Sequence, residues 1–282
     1  MSQDLPLAGV RVVSLAINLP GPLAVARLCA LGAQVIKVEP PTGDPLASAA
    51  PRWYADLVSG QTVVRWDLKV PDQRALFDRE LAQSDLLVTA MRPSATKRLG
   101  LHDIGRRFPE LSIVEIVGHD GELAEAPGHD LTYQAAHGTL TPPTMPTVPV
   151  ADLLGAERAI AAALLSLMNR QRTGRGESRR IVLEDAAADA GAAVRHRLMG
   201  HDAPLGGADP AYGIYSTADG HVAVAAIEPH FRARLTAAVG ATTREELEQV
   251  FRARPTAHWV SLATRKDIPI NEIRRTHAGV AG

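Results

Sequence analysis

GVRVVSLAINLPGPLAVARLCALGAQVIKVE, residues 9–39, decides the fold. A β-branched run, GVRVVSLA, is followed by a loop, by LAVARLCALG ending at Gly32, and by a second β-branched run, QVIKVE. Short runs rich in Val and Ile read as strands, and the stretch between them reads as a helix closed by glycine. Strand, helix, strand is the opening of a doubly wound fold, whose ligands sit beyond the carboxyl ends of the strands. That opening invites a dinucleotide, with Glu39 as the acid on the ribose. The loop Asn18-Leu19-Pro20-Gly21-Pro22 argues against it. It has one glycine where the fingerprint needs three, and its prolines offer a pyrophosphate no N–H.

Outward from this unit the alternation continues. TVVRWDL (62–68), DLLVTA (85–90), SIVEIVG (112–118) and RRIVLED (179–185) read as strands. Pro71 opens the helix DQRALFDRELAQ, and helical pieces fill 94–108. Strands separated by helices imply a mainly parallel sheet covered on both faces. His129-Asp130-Leu131-Thr132-Tyr133 starts another helix, and TPPTMPTVP (141–149) carries too many prolines for a helix or a central strand. The longest helical pattern, PVADLLGAERAIAAALLSLMNRQRTGRG (149–176), is apolar nearly all round its middle. Arg170 and Arg172 suit its negative end, Gly174 supplies a left-handed stop, and Asp152 suits its first turn or N-cap. A further helix runs through about Met199.

Pro204, Gly206, Gly207 and Pro210 mark a boundary. The expectation is a Rossmann-like α/β domain over 1–200, doubly wound and mainly parallel, and a smaller α+β domain over 201–282. In the second domain AYGIYST and HVAVAAI flank the turn Ala218-Asp219-Gly220, and helical patterns follow at 229–239, 243–252 and 255–264.

Composition sets limits. Over 282 residues, 46% hydrophobic and 22% charged content suits a globular chain. A formal net charge of −1 advertises no nucleic acid. No apolar run spans a bilayer, so no membrane is expected, and MSQDLPLAG lacks the features of a secretion signal. The single cysteine, Cys29, has no internal partner and no metal-ligand spacing around it, so a reducing cytoplasm and no metal are expected.

Taken singly, the polar residues in these patterns have plain structural readings. Asp152 reads as a cap, His129 as an exposed helix-start residue, Glu228 before Pro229 as a helix-start acid, and Arg92, Lys97 and Arg98 as surface charges. Taken together, PLAGVRVVSLA, the Gly21-Pro22 pair, LGAQVIKVEPP, WDLK, MRPSATKRLGL, PGHDLTY, VADLL and RTGRGE resemble the class III coenzyme A transferases, the superfamily that contains the α-methylacyl-CoA racemases. These motifs cover residue 6 to about 231. Three of them resemble the racemase branch: Pro20-Gly21-Pro22, the pair His129-Asp130, and Ile227-Glu228-Pro229.

The resemblance implies a Rossmann-like large domain joined to a small one, in an interlocked homodimer. It implies that His129 and Asp152 face opposite sides of the carbon next to a thioester carbonyl, with Asp130 orienting the imidazole and Glu228 completing the site. Backbone N–H groups at the start of the Asp152 helix would then stabilise the enolate. Pro20, Gly21, Arg92, Lys97 and Arg98 are the implied substrate-binding positions. Coenzyme A enters as part of the substrate, and no further cofactor is required. In the alternative transferase chemistry Asp152 is a nucleophile that forms an anhydride and then a thioester with CoA. A repurposed lyase, dehydratase or isomerase on a non-CoA carbonyl, and a binding role without turnover, are the other readings. Two departures stand out. Pro40, Ser59, Gln61 and Thr62 occupy positions that are usually basic, which implies weakened CoA affinity. The sequence also ends at DIPINEIRRTHAGVAG, where relatives usually return to the large domain, so a shortened small domain is expected.

Overall fold

Val and Ile at alternating positions bury both faces of the first strands, and parallel pairing follows from the helices between them. In the computed structural model, β1 (Arg11–Ser14), β2 (Gln34–Glu39), β3 (Thr62–Arg65), β4 (Leu86–Thr89), β5 (Ser112–Val117) and β6 (Ser178–Val182) form one parallel sheet in the order β3-β2-β1-β4-β5-β6. The structure describes residues 5–274; the readings of MSQD and of the closing RTHAGVAG lie outside them. Among the described residues no helix is long and apolar enough to cross a membrane.

The connecting helices are α1 (Pro20–Ala30), α2 (Pro45–Ala49), α3 (Pro51–Leu57), α4 (Pro71–Ala82), α5 (Pro93–Arg98), α6 (Ile104–Arg107), α7 (Asp130–Ala136), α8 (Val150–Thr173) and α9 (Leu183–Ala190). Neighbouring strand residues serve opposite faces. Val12, Leu86 and Val114 pack with α1 and α8, whereas Val13, Leu87 and Leu15 pack with Phe77 and Leu81 of α4. The strand order reverses between β1 and β4, which is where a doubly wound sheet opens a crevice at its carboxyl edge.

Helix α8 ends as its sequence indicates, with Gly174 at φ 70° and Arg170 and Arg172 in the last turn. Its buried face is made of small residues: Ala151, Gly155, Ala156, Ala159, Ala162 and Ala163. A Cβ on Gly155 would collide with the Leu183 side chain, so the glycine leaves room for the first residue of α9 to pack on the helix.

Three boundaries differ from the sequence reading. The Leu-Glu-Asp of RRIVLED belongs to α9, because pairing stops at Val182 and the Glu184 N–H donates to the Gly118 carbonyl at 3.1 Å. The helix expected to reach Met199 breaks at Gly191, where a Cβ would run into the His137 backbone. The two compact units therefore divide between Gly191 and Ala192 rather than at 200. The intervening segment bonds forward instead, with the Leu205 N–H on Leu198 O and the Ala203 N–H on Gly200 O.

The second unit holds α10 (Ala192–Arg195), the antiparallel strands β7 (Tyr212–Ser216), β8 (His221–Ala225) and β9 (Ile270–Glu272), and helices α11 (Pro229–Val239), α12 (Arg244–Arg252) and α13 (Thr256–Lys266). It has its own core, in which Phe251 stacks on Tyr215 at 5.0 Å and meets Trp259 edge-on at 4.9 Å.

One glycine of the opening loop is fixed by packing. Gly21, buried in the first turn of α1, faces Ala16 so closely that a Cβ would overlap Ala16 Cβ. Ala16 is short and rigid and cannot swing aside. Gly21→Ala is expected to lower the urea unfolding free energy by about 1–3 kcal/mol; an unchanged midpoint would show that the loop yields.

Candidate functional site

The carboxyl ends of β1, β4 and β5 converge on a cavity of about 200 Å³. Ile17 and Asn18 enter it after β1, Met91 and Arg92 after β4, and Gly118 after β5. His129 and Tyr133 come from the start of α7, and Asp152 from the first turn of α8. The cavity therefore occupies the place where a doubly wound fold binds its ligand.

A buried ion cluster holds the first of these loops. Asn18 sits at φ 69°, and its N–H donates to Asp44 Oδ1 at 3.0 Å. The same oxygen caps α2 through the Leu46 N–H. Lys37, 2% exposed, donates from Nζ to Asp44 Oδ2 at 2.8 Å and to Ala16 O at 2.9 Å, and lies 3.6 Å from Glu39 Oε1. Glu39 also accepts from the Tyr54 hydroxyl at 2.5 Å and lies 3.7 Å from Arg65 Nε. Burial and the nearby carboxylates push the Tyr54 hydroxyl well above its ordinary pKa. Glu39 is thus occupied inside the protein and is placed to hold a loop, not a ribose.

At the entrance of α8 Asp152 lies in the first turn, one of its two expected places, and is not the N-cap. The N-cap is Pro149, which has no side-chain acceptor, and Asp152 is the third helical residue. The cap comes from another helix: Asp130 Oδ1 accepts from the Ala151 N–H at 2.8 Å and the Asp152 N–H at 3.2 Å. Its other oxygen accepts from Gln134 Nε2 at 2.5 Å. Asp130 therefore anchors α8, and among the described residues its hydrogen bonds go to that helix and to Gln134. Two of the amides expected to stabilise an enolate, those of Ala151 and Asp152, are taken by the same contact.

Relieved of capping, the Asp152 carboxylate accepts no hydrogen bond from the described residues and faces the cavity. Burial, and secondarily the Asp130 charge, raises its pKa to about 6. His129 is exposed at the mouth, with its N–H held by Thr132 Oγ1 at 3.0 Å.

The other expected residues divide. Pro20 and Arg92 line the cavity, whereas Gly21 is buried against Ala16, and Lys97 and Arg98 are exposed on the last turn of α5 away from the lining. Pro40 follows β2 at the carboxyl edge of the sheet. Ser59, Gln61 and Thr62 precede or open β3 and so lie at the amino edge, opposite the cavity. Glu228 is the exposed N-cap of α11 in the second unit. Tyr133 was not singled out, although it closes the motif PGHDLTY; its place four residues after His129 put it on the same helical face. Among the described residues no group of three or more His, Cys, Asp or Glu is placed to hold a metal ion.

The family model described as CoA-transferase family III matches residues 7–281. The human alpha-methylacyl-CoA racemase is 30% identical over 85% of this chain and 66% of its own length. Succinyl-CoA–D-citramalate CoA-transferase of Chloroflexus aurantiacus is 30% identical over 61% of this chain and 48% of its own. The chain thus spans between about half and two thirds of these relatives. In structure, it is similar to a hypothetical protein (Rv3272) of Mycobacterium tuberculosis, with TM-score 0.83 at 24% identity over 97% of this chain and 87% of that one. A CAIB/BAIF family protein of Brucella suis gives TM-score 0.82 at 24% identity, over 97% and 85%.

The raised value at Asp152 has a stability consequence. The native state holds this proton more tightly than the unfolded chain, whose carboxylate titrates near 3.9. Its contribution is complete below that value and is lost as pH rises through about 6. Asp152→Asn is therefore expected to stabilise the protein at pH 8 by on the order of 1–3 kcal/mol, with the gain shrinking towards zero in acid. Thermal melts across the pH range check this. Asp130→Asn, which removes the neighbouring charge, is expected to lower the Asp152 titration midpoint in carboxyl carbon NMR.

Proposed function

The chain belongs to CoA-transferase family III, and from that premise we propose that it is an acid/base isomerase acting at the α-carbon of a 2-methylacyl-CoA or related thioester. The observation that carries this reading is the free carboxylate of Asp152, raised to about 6, in the same small cavity as His129. Inversion next to a thioester carbonyl needs a base on one face of the carbon and an acid on the other. A carboxylate near 6 is a stronger base than a free one and is still ionised at neutral pH. The imidazole of His129 is the acid that returns a proton from the other side.

The proton leaves the α-carbon for one group as its electron pair forms the enolate, and the other group delivers a proton to the opposite face. Coenzyme A is carried as part of the substrate. The role of Glu228 rests on the resemblance alone. A homodimer fits the exposed apolar row Leu154, Leu165 and Met168 along α8; a dilute-solution mass measurement showing only monomer would count against it. The transferase reading draws on the same unbonded carboxylate, now as nucleophile, and on relatives named as CoA-transferases.

Incubation in heavy water separates the two. Deuterium is expected at the α-carbon of a 2-methylacyl-CoA, with rates rising through about pH 6 as Asp152 ionises. Asp152→Asn and His129→Ala are each expected to lower exchange by about 10²–10⁴-fold. Absence of exchange, together with a trappable Asp152-linked thioester, would establish the transferase instead. Calorimetric titration with acetyl-CoA is expected to give weak binding, because the basic residue expected after β2 is Pro40; a micromolar constant at physiological salt would show that other groups replace it.

A further inference from the structure

Two groups at the α-carbon account for the proton transfers, and the carbonyl oxygen, where negative charge collects, calls for a donor of its own. The Ala151 and Asp152 amides of α8 are taken by Asp130, and the His129 amide is taken by Thr132. Tyr133 stands one turn after His129 and is only 3% exposed. Its ring packs edge-on against His119 at 5.2 Å, and His119 Nδ1 lies 2.5 Å from Glu184 Oε2. Its hydroxyl is enclosed by two glycines. A Cβ on Gly128 would lie 2.6 Å from Oη, and one on Gly118 would overlap it. The phenol is thus fixed at both ring and tip, and it lines the cavity together with Asp152. Among the described residues nothing hydrogen-bonds to its hydroxyl. Burial, then the negative charges of Asp152 and Glu184, push its pKa up to about 12. It therefore keeps its proton at neutral pH, where Asp152 is ionised, which makes it a donor and not a base.

We infer that Tyr133 is a further catalytic residue, whose hydroxyl donates a hydrogen bond to the thioester carbonyl oxygen as that oxygen becomes an enolate. The inference rests on the acyl-thioester reading above. As the α-carbon proton passes to Asp152 or His129, the C–H pair becomes the carbon–carbon double bond and the carbonyl π pair moves onto oxygen. The Tyr133 proton stays on Tyr133 throughout, and reprotonation of carbon returns the pair. A donor fixed before the charge develops needs no reorganisation when it appears. The two glycines keep the space that such a donor requires, which explains why neither carries a side chain.

Acetoacetyl-CoA tests this without turnover, since its own α-carbon ionises and its enolate absorbs in the ultraviolet. With wild-type chain, binding is expected to raise the enolate fraction. With Tyr133→Phe, total binding by calorimetry is expected to stay within about twofold while stabilisation of the enolate falls by roughly 10²–10³-fold. Deuterium exchange into a 2-methylacyl-CoA is expected to fall by the same factor, through kcat and not KM. Equal enolate fractions in the two proteins would overturn the role of Tyr133 alone. Failure of both proteins to bind acetoacetyl-CoA would overturn the thioester reading, and this inference with it. A variant that binds acetoacetyl-CoA as wild type does has kept its fold, so a lost enolate signal there reports the hydroxyl.

Discussion

One carboxylate, Asp130, decides what the other can do. By accepting the first amides of α8 it satisfies donors that a helix start otherwise leaves unpaired. It does so from a different helix, so the contact also ties α7 to α8. Had Asp152 capped its own helix, the hydrogen bonds would have held its pKa down and made it a poor base. With the cap supplied from elsewhere, Asp152 faces only burial and a like charge, and both favour its protonated form. Structural support and reactivity are thus separated between two neighbouring acids.

The same separation recurs on the other side of the cavity. Lys37, Glu39 and Asp44 are buried charges with no access to substrate, yet Asp44 fixes the Asn18 turn that forms one wall. Buried ions persist only when paired and hydrogen-bonded, and here two carboxylates, a backbone carbonyl and a tyrosine hydroxyl complete the set. A positive φ at a non-glycine residue is held in place by that cluster. The small-residue face of α8 provides the remaining precision, since Gly155 sets how near Leu183 and the rest of α9 can come.

Much of this was legible in the residues. The Val- and Ile-rich runs located all six parallel strands, and Gly174 with Arg170 and Arg172 located the end of α8. What escaped were features made at long range. The capping of α8 by Asp130 joins residues about twenty positions apart, and nothing in local helix grammar distinguishes Asp130 from Asp152 as the donor's partner. Strand β9 is three residues, Ile-Asn-Glu, and forms only because β8 offers an edge. The loss of basic residues at Ser59, Gln61 and Thr62 looked like damage to a nucleotide site, but the register of β3 puts them at the amino edge. Tyr133 was hidden because a buried aromatic on a helix is ordinarily core.

The cavity volume carries an implication for how such a chain changes over time. At about 200 Å³ it is smaller than the usual pocket for a whole ligand, and on the proposed acyl-thioester reading it would admit a short acyl group and its thioester rather than a nucleotide handle. On that reading the handle would lie outside the cavity, where substitutions disturb neither Asp152 nor its cap. Selection for a new carrier and selection for the carbon-centred reaction then act on different residues, and one can drift while the other is conserved. Within the cavity the reverse holds. Ile116 and Leu183 form a wall shared with the hydrophobic core, so a change in the shape of the cavity is also a change in how the sheet packs.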